Sequence, residues 1–220
     1  KLEQWQSAWQ QLIGAGSPFE VLTPADGGVK YFRHSAASVW AAIDSGRVHG
    51  DREFLVWEQQ RLTFAQFFDQ VDRLGGQLVQ RFGVRKGDRV AIAMRNQPAW
   101  LVAFAAIQRC GAVCVPLNSW GLRDELFHGL QDSGAHLLLC DPPRLQLLAD
   151  DLRTQGLATL VVGLDDGVLL EEHCQRLEDL LAAPTLNVPV QPVTAQDPAM
   201  ILYTSGTTSL AKGVLSTCLL

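Results

Sequence analysis

The chain has 220 residues, 47% of them hydrophobic, and a formal net charge of −5 at pH 7. That is enough apolar material for one sizeable core or two small ones, and too little positive charge for a general attraction to nucleic acid or anionic lipid. Five cysteines, an odd number without a C-x-x-C pair, argue against a disulfide framework and against a zinc site, and read as free buried thiols.

In chain order, Leu2, Trp5, Trp9, Leu12 and Ile13 fall at helical spacing, and Gly14 and Gly16 stop the run. Packing of that stripe on its own domain is the expectation, ahead of docking on membrane or partner. The opening Lys1-Leu2-Glu3-Gln4 has no signal-peptide character. Residues 17–35 read as loop, with Pro18, Pro24 and Gly27-Gly28 as breakers, and residues 36–43 as a short helix. Residues 53–57 and 61–62 look like short strands around Glu58-Gln59-Gln60. A long helix then starts at Thr63, with Gln66 completing a capping box. Its apolar stripe is Phe64, Phe67, Phe68, Val71, Leu74, Leu78 and Phe82, and it ends at Gly83.

From residue 89 the pattern becomes strand and helix in alternation. A strand at 89–94 is followed by Asn96 as N-cap, Pro98 in the first turn and a helix to Cys110. A strand at 112–117 closes a βαβ unit. Helix 122–132, strand 136–140, helix 142–154 and strand 157–162 repeat the theme, and a last helix is expected at 172–182. The strands are apolar on successive residues, as parallel strands covered on both faces are. An α/β fold with a parallel-rich sheet and covering helices follows. Pro184, Pro189, Pro192 and Pro198 mark an extended connector. The longest apolar stretch, residues 99–107, is about half of the ~20 residues a membrane span needs, so a soluble, cytoplasmic protein is expected.

The stretch that carries chemistry is Tyr203-Thr204-Ser205-Gly206-Thr207-Thr208-Ser209-Leu210-Ala211-Lys212-Gly213-Val214, flanked by apolar runs. Hydroxyl and backbone donors, a glycine allowing close approach and one ammonium are the parts of a phosphate cradle. Composition alone would favour a polar hairpin loop; the order and the flanks favour the cradle. A Walker A loop is excluded, because Ala211 stands at its second glycine, Gly213 at its Ser/Thr, and a β-prone run follows Lys212. None of the five histidines (34, 49, 128, 136, 173) has triad-like or metal-like spacing, so each reads as surface or structural.

This run resembles the Tyr-Thr-Ser-Gly-Thr-Thr-Gly-x-Pro-Lys-Gly-Val signature of the adenylate-forming (AMP-binding) superfamily, keeping nine of twelve positions. Ser209 replaces Gly, Ala211 replaces Pro, and Cys218 stands six residues past Lys212 where the family often has histidine. The resemblance widens to Arg61-Leu62-Thr63-Phe64, Gly87-Asp88-Arg89-Val90-Ala91-Ile92 with Asn96-Gln97-Pro98, Gly111-Ala112-Val113-Cys114-Val115-Pro116-Leu117-Asn118, and Glu125-Leu126 with Asp132-Ser133-Gly134-Ala135. These landmarks are scaffold, and their wording is most similar to fatty-acid–CoA ligases.

The resemblance implies the N-terminal subdomain of the adenylate-forming fold and an enzyme using ATP, Mg²⁺ and coenzyme A to turn a carboxylic acid, expected to be a fatty acid, into its thioester. It places Ser205, Gly206, Thr207 and Thr208 on the β/γ-phosphates, Lys212 on their charge as the catalytic cation, and Thr204 at the magnesium ion. The family's adenine, ribose and metal-binding segments and its mobile domain have no counterpart in these residues, so the chain alone is expected to be inactive. The expected division is an N-terminal extension (1–50), an α/β subdomain (51–182), the connector (183–198), and the phosphate loop opening a further subdomain (199–220). An outer strand near 199–203 would invite self-association. An adenylation domain serving a carrier protein, or a non-catalytic nucleotide-binding or packing unit, are the alternatives.

Overall fold

The computed structural model describes residues 2–25, 27–165, 167–204 and 210–218. Its first elements are α1 (Leu2–Ile13), β1 (Val21–Leu22), β2 (Tyr31–Phe32), α2 (Val39–Asp44), a 3-10 helix (Ser45–His49), β3 (Glu53–Trp57), β4 (Gln60–Thr63) and α3 (Phe64–Gln80). The alternating part is β5 (Arg89–Ala93), α4 (Pro98–Arg109), β6 (Val113–Pro116), α5 (Arg123–Ser133), β7 (Leu137–Cys140), α6 (Pro142–Gln155) and β8 (Ala158–Val161). Then come β9 (Cys174–Arg176), α7 (Leu177–Ala182), β10 (Pro198–Thr204) and β11 (Lys212–Thr217).

Seven strands form one sheet in the order β11-β10-β6-β5-β7-β8-β9. The β10–β11 pair is antiparallel and every other pairing is parallel. The chain adds β6 on one side of β5 and then crosses to β7 on the other, so the winding reverses at β5. Alternation along β5 decides the layers. Val90 and Ile92 join Leu74 and Leu78 of α3 and Val102 and Ile107 of α4. Ala91 and Ala93 join Leu126 and Leu130 of α5 and Leu148 and Leu152 of α6. The sheet is therefore covered on both faces, and burying each of these leucines contributes about 1.5–3 kcal/mol.

The long helix begins as its sequence dictates. Gln66 N–H donates to Thr63 Oγ1 at 3.2 Å, and Thr63 N–H donates to Gln66 Oε1 at 2.9 Å, a complete capping box. The connector has no helix or strand until Pro198, yet it is tied down along its length. Arg73 donates to Ala183 O, Arg109 to Val188 O and Lys86 to Pro192 O, at 2.9, 2.9 and 3.0 Å. It crosses α3 at Gly76, where an added Cβ would stand 2.7 Å from Leu186 O. Alanine at that position gains about 1 kcal/mol of helix propensity. It must also move backbone, and overpacking costs about 1–3 kcal/mol. Gly76→Ala is therefore expected to lower the melting temperature by a few degrees; a variant that melts with the parent would mean the connector is not fixed on α3.

Three expectations need correction. α1 forms but does not pack on the domain: none of its residues is buried, and Trp5 and Trp9 are 75% and 60% exposed. Amphipathic spacing determines the helix and not what covers it. The N-cap of α4 is Gln97 rather than Asn96, with φ −160° and no side-chain cap bond. Pro98 forces the residue before it into extended backbone, so that residue becomes the cap. Residues 172–182 are not one helix, because 174–176 pair with β8 as the far edge strand and only Leu177–Ala182 is helical. Pairing with an open sheet edge outweighed the local helical pattern.

Candidate functional site

The two ends of the hydroxyl-rich run lie on the paired strands β10 and β11, at the edge of the sheet away from β9. Register sets Thr204 opposite Lys212 and Tyr203 opposite Gly213. Both Thr204 and Lys212 are exposed. The fold thus brings the two ends of the run side by side. Ser205, Gly206, Thr207 and Thr208 lie outside the described residues.

The base of the hairpin is fastened to the helix layer. Gln108 Nε2 donates to Ala199 O at 2.9 Å in a buried contact, and Cys218 N–H donates to Asp197 O at 2.9 Å. Asp197 also pairs with Lys86 at 2.8 Å and accepts from Thr194 N–H at 2.6 Å. The Lys86 ammonium, followed by the Thr194 N–H, holds its carboxyl below the usual carboxylate range. Cys218 is buried, and burial raises its thiol above its ordinary value. It lies just past the end of β11, roughly 20 Å along the strand from Lys212 at ~3.3 Å per residue.

The upper end is fastened by α5. Ile201 and Tyr203 pack on the face of the core that α5 helps to form. The Tyr203 hydroxyl donates to Asp132 Oδ2 at 2.7 Å. Burial first, and then that bond, push the phenol above its ordinary value, so it stays a protonated donor. One turn earlier, His128 Nε2 lies 2.9 Å from Ala211 O, and its ring meets the Tyr203 ring edge-on with centroids 6.0 Å apart. Gly213 lets the tyrosine lie flat, since a Cβ there would be 2.9 Å from Ile201 Cγ2 and 3.3 Å from Tyr203 Cζ. Sequence reasoning set His128 aside as surface or structural and read Asp132 as part of a scaffold landmark. Their i,i+4 spacing places them on one helix face and was the available signal.

Magnesium fits this site only through a ligand. Thr204 offers one neutral hydroxyl, and among the described residues no three His, Cys, Asp or Glu side chains are grouped to hold a metal. Magnesium is commonly bound by one or two carboxylates together with substrate phosphates. Among the described residues the hairpin presents the Thr204 hydroxyl and the Lys212 ammonium, and no carboxylate cage stands beside them.

Two other places were natural candidates. At the reversal of the sheet, Asp141 accepts from Arg95 N–H at 2.9 Å and Arg144 Nη1 at 3.2 Å, while Arg144 also donates to Ser119 O. Asp141 caps α6 as well, so this cluster closes the carboxyl ends of β5 and β7 on themselves. A groove of about 400 Å³ lined by Leu55, Trp57, Asn96, Pro98 and Trp100 has no charged side chain among its lining and includes nothing from β10, β11 or α5. Its lining offers no cation to a phosphate. Among the described residues no helix is long and apolar enough to cross a membrane.

Residues 43–218 match the family described as AMP-binding enzyme. The chain is 32% identical over 186 residues to the crotonobetaine/carnitine–CoA ligase of Escherichia coli O6:K15:H31, covering 79% of this chain and 35% of that protein. The corresponding ligase of Salmonella typhimurium is 31% identical over the same span, again covering 79% of this chain and 35% of that protein. The fold is similar to that of the anthranilate CoA ligase AuaEII in complex with anthranoyl-AMP, with a TM-score of 0.74 at 22% identity over 82% of this chain and 34% of that one. It is similar to the Klebsiella oxytoca NpsA N-terminal subdomain in complex with 3-hydroxyanthranilyl-AMSN, with a TM-score of 0.61 at 26% identity over 82% of this chain and 41% of that one. The Mycobacterium tuberculosis fatty acyl CoA synthetase gives a TM-score of 0.67 at 25% identity over 82% of this chain and 34% of that one. The chain spans about a third of the length of the curated relatives it matches.

Proposed function

The chain belongs to the AMP-binding enzyme family, and from that premise we propose that it is the N-terminal part of an ATP-dependent acyl-CoA synthetase. The observation that carries this reading is the hairpin, whose register sets Thr204 beside Lys212 at the two ends of the hydroxyl-rich run. A carboxylate is a poor electrophile until it bears a good leaving group. Its oxygen attacks the α-phosphorus of ATP, the bond to the bridging oxygen breaks, and pyrophosphate departs from the acyl adenylate. The thiolate of coenzyme A then attacks the acyl carbon, AMP leaves, and the thioester forms.

In this reading Ser205, Gly206, Thr207 and Thr208 donate to the β/γ-phosphates, and Lys212 offsets the charge that grows on pyrophosphate. Thr204 contacts magnesium carried on the nucleotide. Residues 199–220 then open the subdomain that follows the α/β unit of residues 51–182. The acid is proposed to be a fatty acid, and the setting cytoplasmic. The test is carboxylate-dependent exchange of labelled pyrophosphate into ATP by the complete polypeptide, with fatty, aromatic and betaine acids offered in parallel and coenzyme A added in a second stage. Exchange with no acid refutes adenylation. Exchange without thioester formation transfers the acceptor role to a carrier protein.

The strand near 199–203 is not outermost as expected, because β10 lies between β11 and β6, so the tendency to associate rests on side chains of the hairpin instead. Leu202, Val214 and Leu215 are 41%, 49% and 56% exposed on the hairpin. Apolar side chains left open to water are a surface on which another chain can pack. The 220-residue polypeptide is therefore expected to self-associate as its concentration rises. A single monomeric species in sedimentation velocity across a hundredfold range of concentration would refute this.

A further inference from the structure

One helix grips both sides of the candidate loop. Tyr203, the residue before Thr204, is held through its hydroxyl by Asp132 at 2.7 Å. Ala211, the residue before Lys212, is held through its carbonyl by His128 at 2.9 Å. His128 and Asp132 are one turn apart on α5, and Gly129 lies between them. That glycine is a close-approach position: an added Cβ would stand 2.5 Å from Leu117 Cδ2 and 3.7 Å from Tyr203 Cε2. The carbonyl of Ala211 can only accept, so the imidazole donates from Nε2 and its proton position is fixed by the contact.

We infer that His128 is a positioning residue for the phosphate loop. Its Nε2–H bond to Ala211 O fixes the start of β11 and with it the lysine that follows. The Tyr203–Asp132 bond fixes the other side, and α5 thereby sets the separation of Thr204 and Lys212 across the mouth of the run. His128 touches no reacting atom in this role. A cation worth having in a transition state must stand where charge develops, and an ångström of misplacement is costly. The bond reaches main chain rather than the Lys212 side chain, so it acts on position and leaves the ammonium's charge alone. This inference rests on reading residues 204–212 as a phosphate loop.

The test compares His128→Phe, which keeps a ring against Tyr203 but loses the donor, with His128→Gln, which keeps a donating N–H. In the complete polypeptide, His128→Phe is expected to slow carboxylate-dependent pyrophosphate exchange about tenfold, the scale of one lost hydrogen bond. The KM for the carboxylic acid stays within twofold of the parent, and His128→Gln recovers most of the rate. A purely structural role would instead lower the melting temperature and move both parameters together in both variants. A second readout does not depend on catalysis. Amide hydrogen exchange at Lys212 and Gly213 in this chain is expected to quicken about tenfold in His128→Phe and to stay near parental in His128→Gln. Parental exchange at those amides in His128→Phe overturns the inference whether or not the protein adenylates anything. Quickened exchange in a protein without pyrophosphate exchange upholds the grip of α5 and refutes the proposed reaction instead.

Discussion

Replacing Lys212 by alanine in the complete polypeptide is expected to lower the rate of pyrophosphate release by about 10²–10³-fold, the usual loss when one preorganised transition-state donor is removed. The same change is expected to leave folding almost untouched. Lys212 is exposed at the first position of β11, and a surface substitution outside any buried network costs within about 0.5 kcal/mol. Its backbone pairing with Thr204 does not depend on the side chain. The split between a large kinetic loss and a small shift in melting temperature is the signature of a charge used in chemistry rather than in packing. Arginine at 212 keeps the charge but offers a planar fork on a longer arm, so it should recover part of the rate and not all of it. A Lys212→Ala enzyme with parental pyrophosphate release, measured under saturating ATP, would remove the role given to this residue.

Much of the scaffold was legible because its signals are local. The Thr63/Gln66 capping box, the stripe through Val71, Leu74 and Leu78, and the apolar runs at β5 to β8 each follow from spacing and residue type within one turn or one strand. What could not be read was decided by distant partners. Residues 174–176 became a strand because β8 offered an unpaired edge. The stripe of α1 announced a helix, yet spacing alone does not specify a surface to cover it, and none of the described residues buries it here. The site divides in the same way. The run at 203–214 stood out by its order of hydroxyls, glycine and lysine, but the register that pairs Thr204 with Lys212 depends on the two strands meeting. His128 and Asp132 act from residues 71 and more positions away from their partners in sequence, so only the folded chain brings them to the loop.

The 220-residue polypeptide by itself is expected to release no measurable pyrophosphate with ATP, magnesium and any carboxylic acid, although it carries Thr204 and Lys212. The physical reason is dielectric. Thr204 and Lys212 are exposed, and the hairpin around them leaves Leu202, Val214 and Leu215 open to water. Two unit charges ~4 Å apart attract by about 1 kcal/mol in water and about 4 kcal/mol at an effective dielectric constant of 20. In rate, that is the difference between roughly fivefold and roughly 10³-fold, so a lysine left in solvent forfeits most of what it contributes in a closed site. Positioning suffers as well, because reactants held on one side only keep most of the freedom that a closed site removes. The measurement is a coupled pyrophosphate assay on the isolated chain beside the complete polypeptide at equal concentration. Release by the isolated chain within 10³-fold of the complete one would show that residues 1–220 already form a working site, and the dependence on a covering domain would fall.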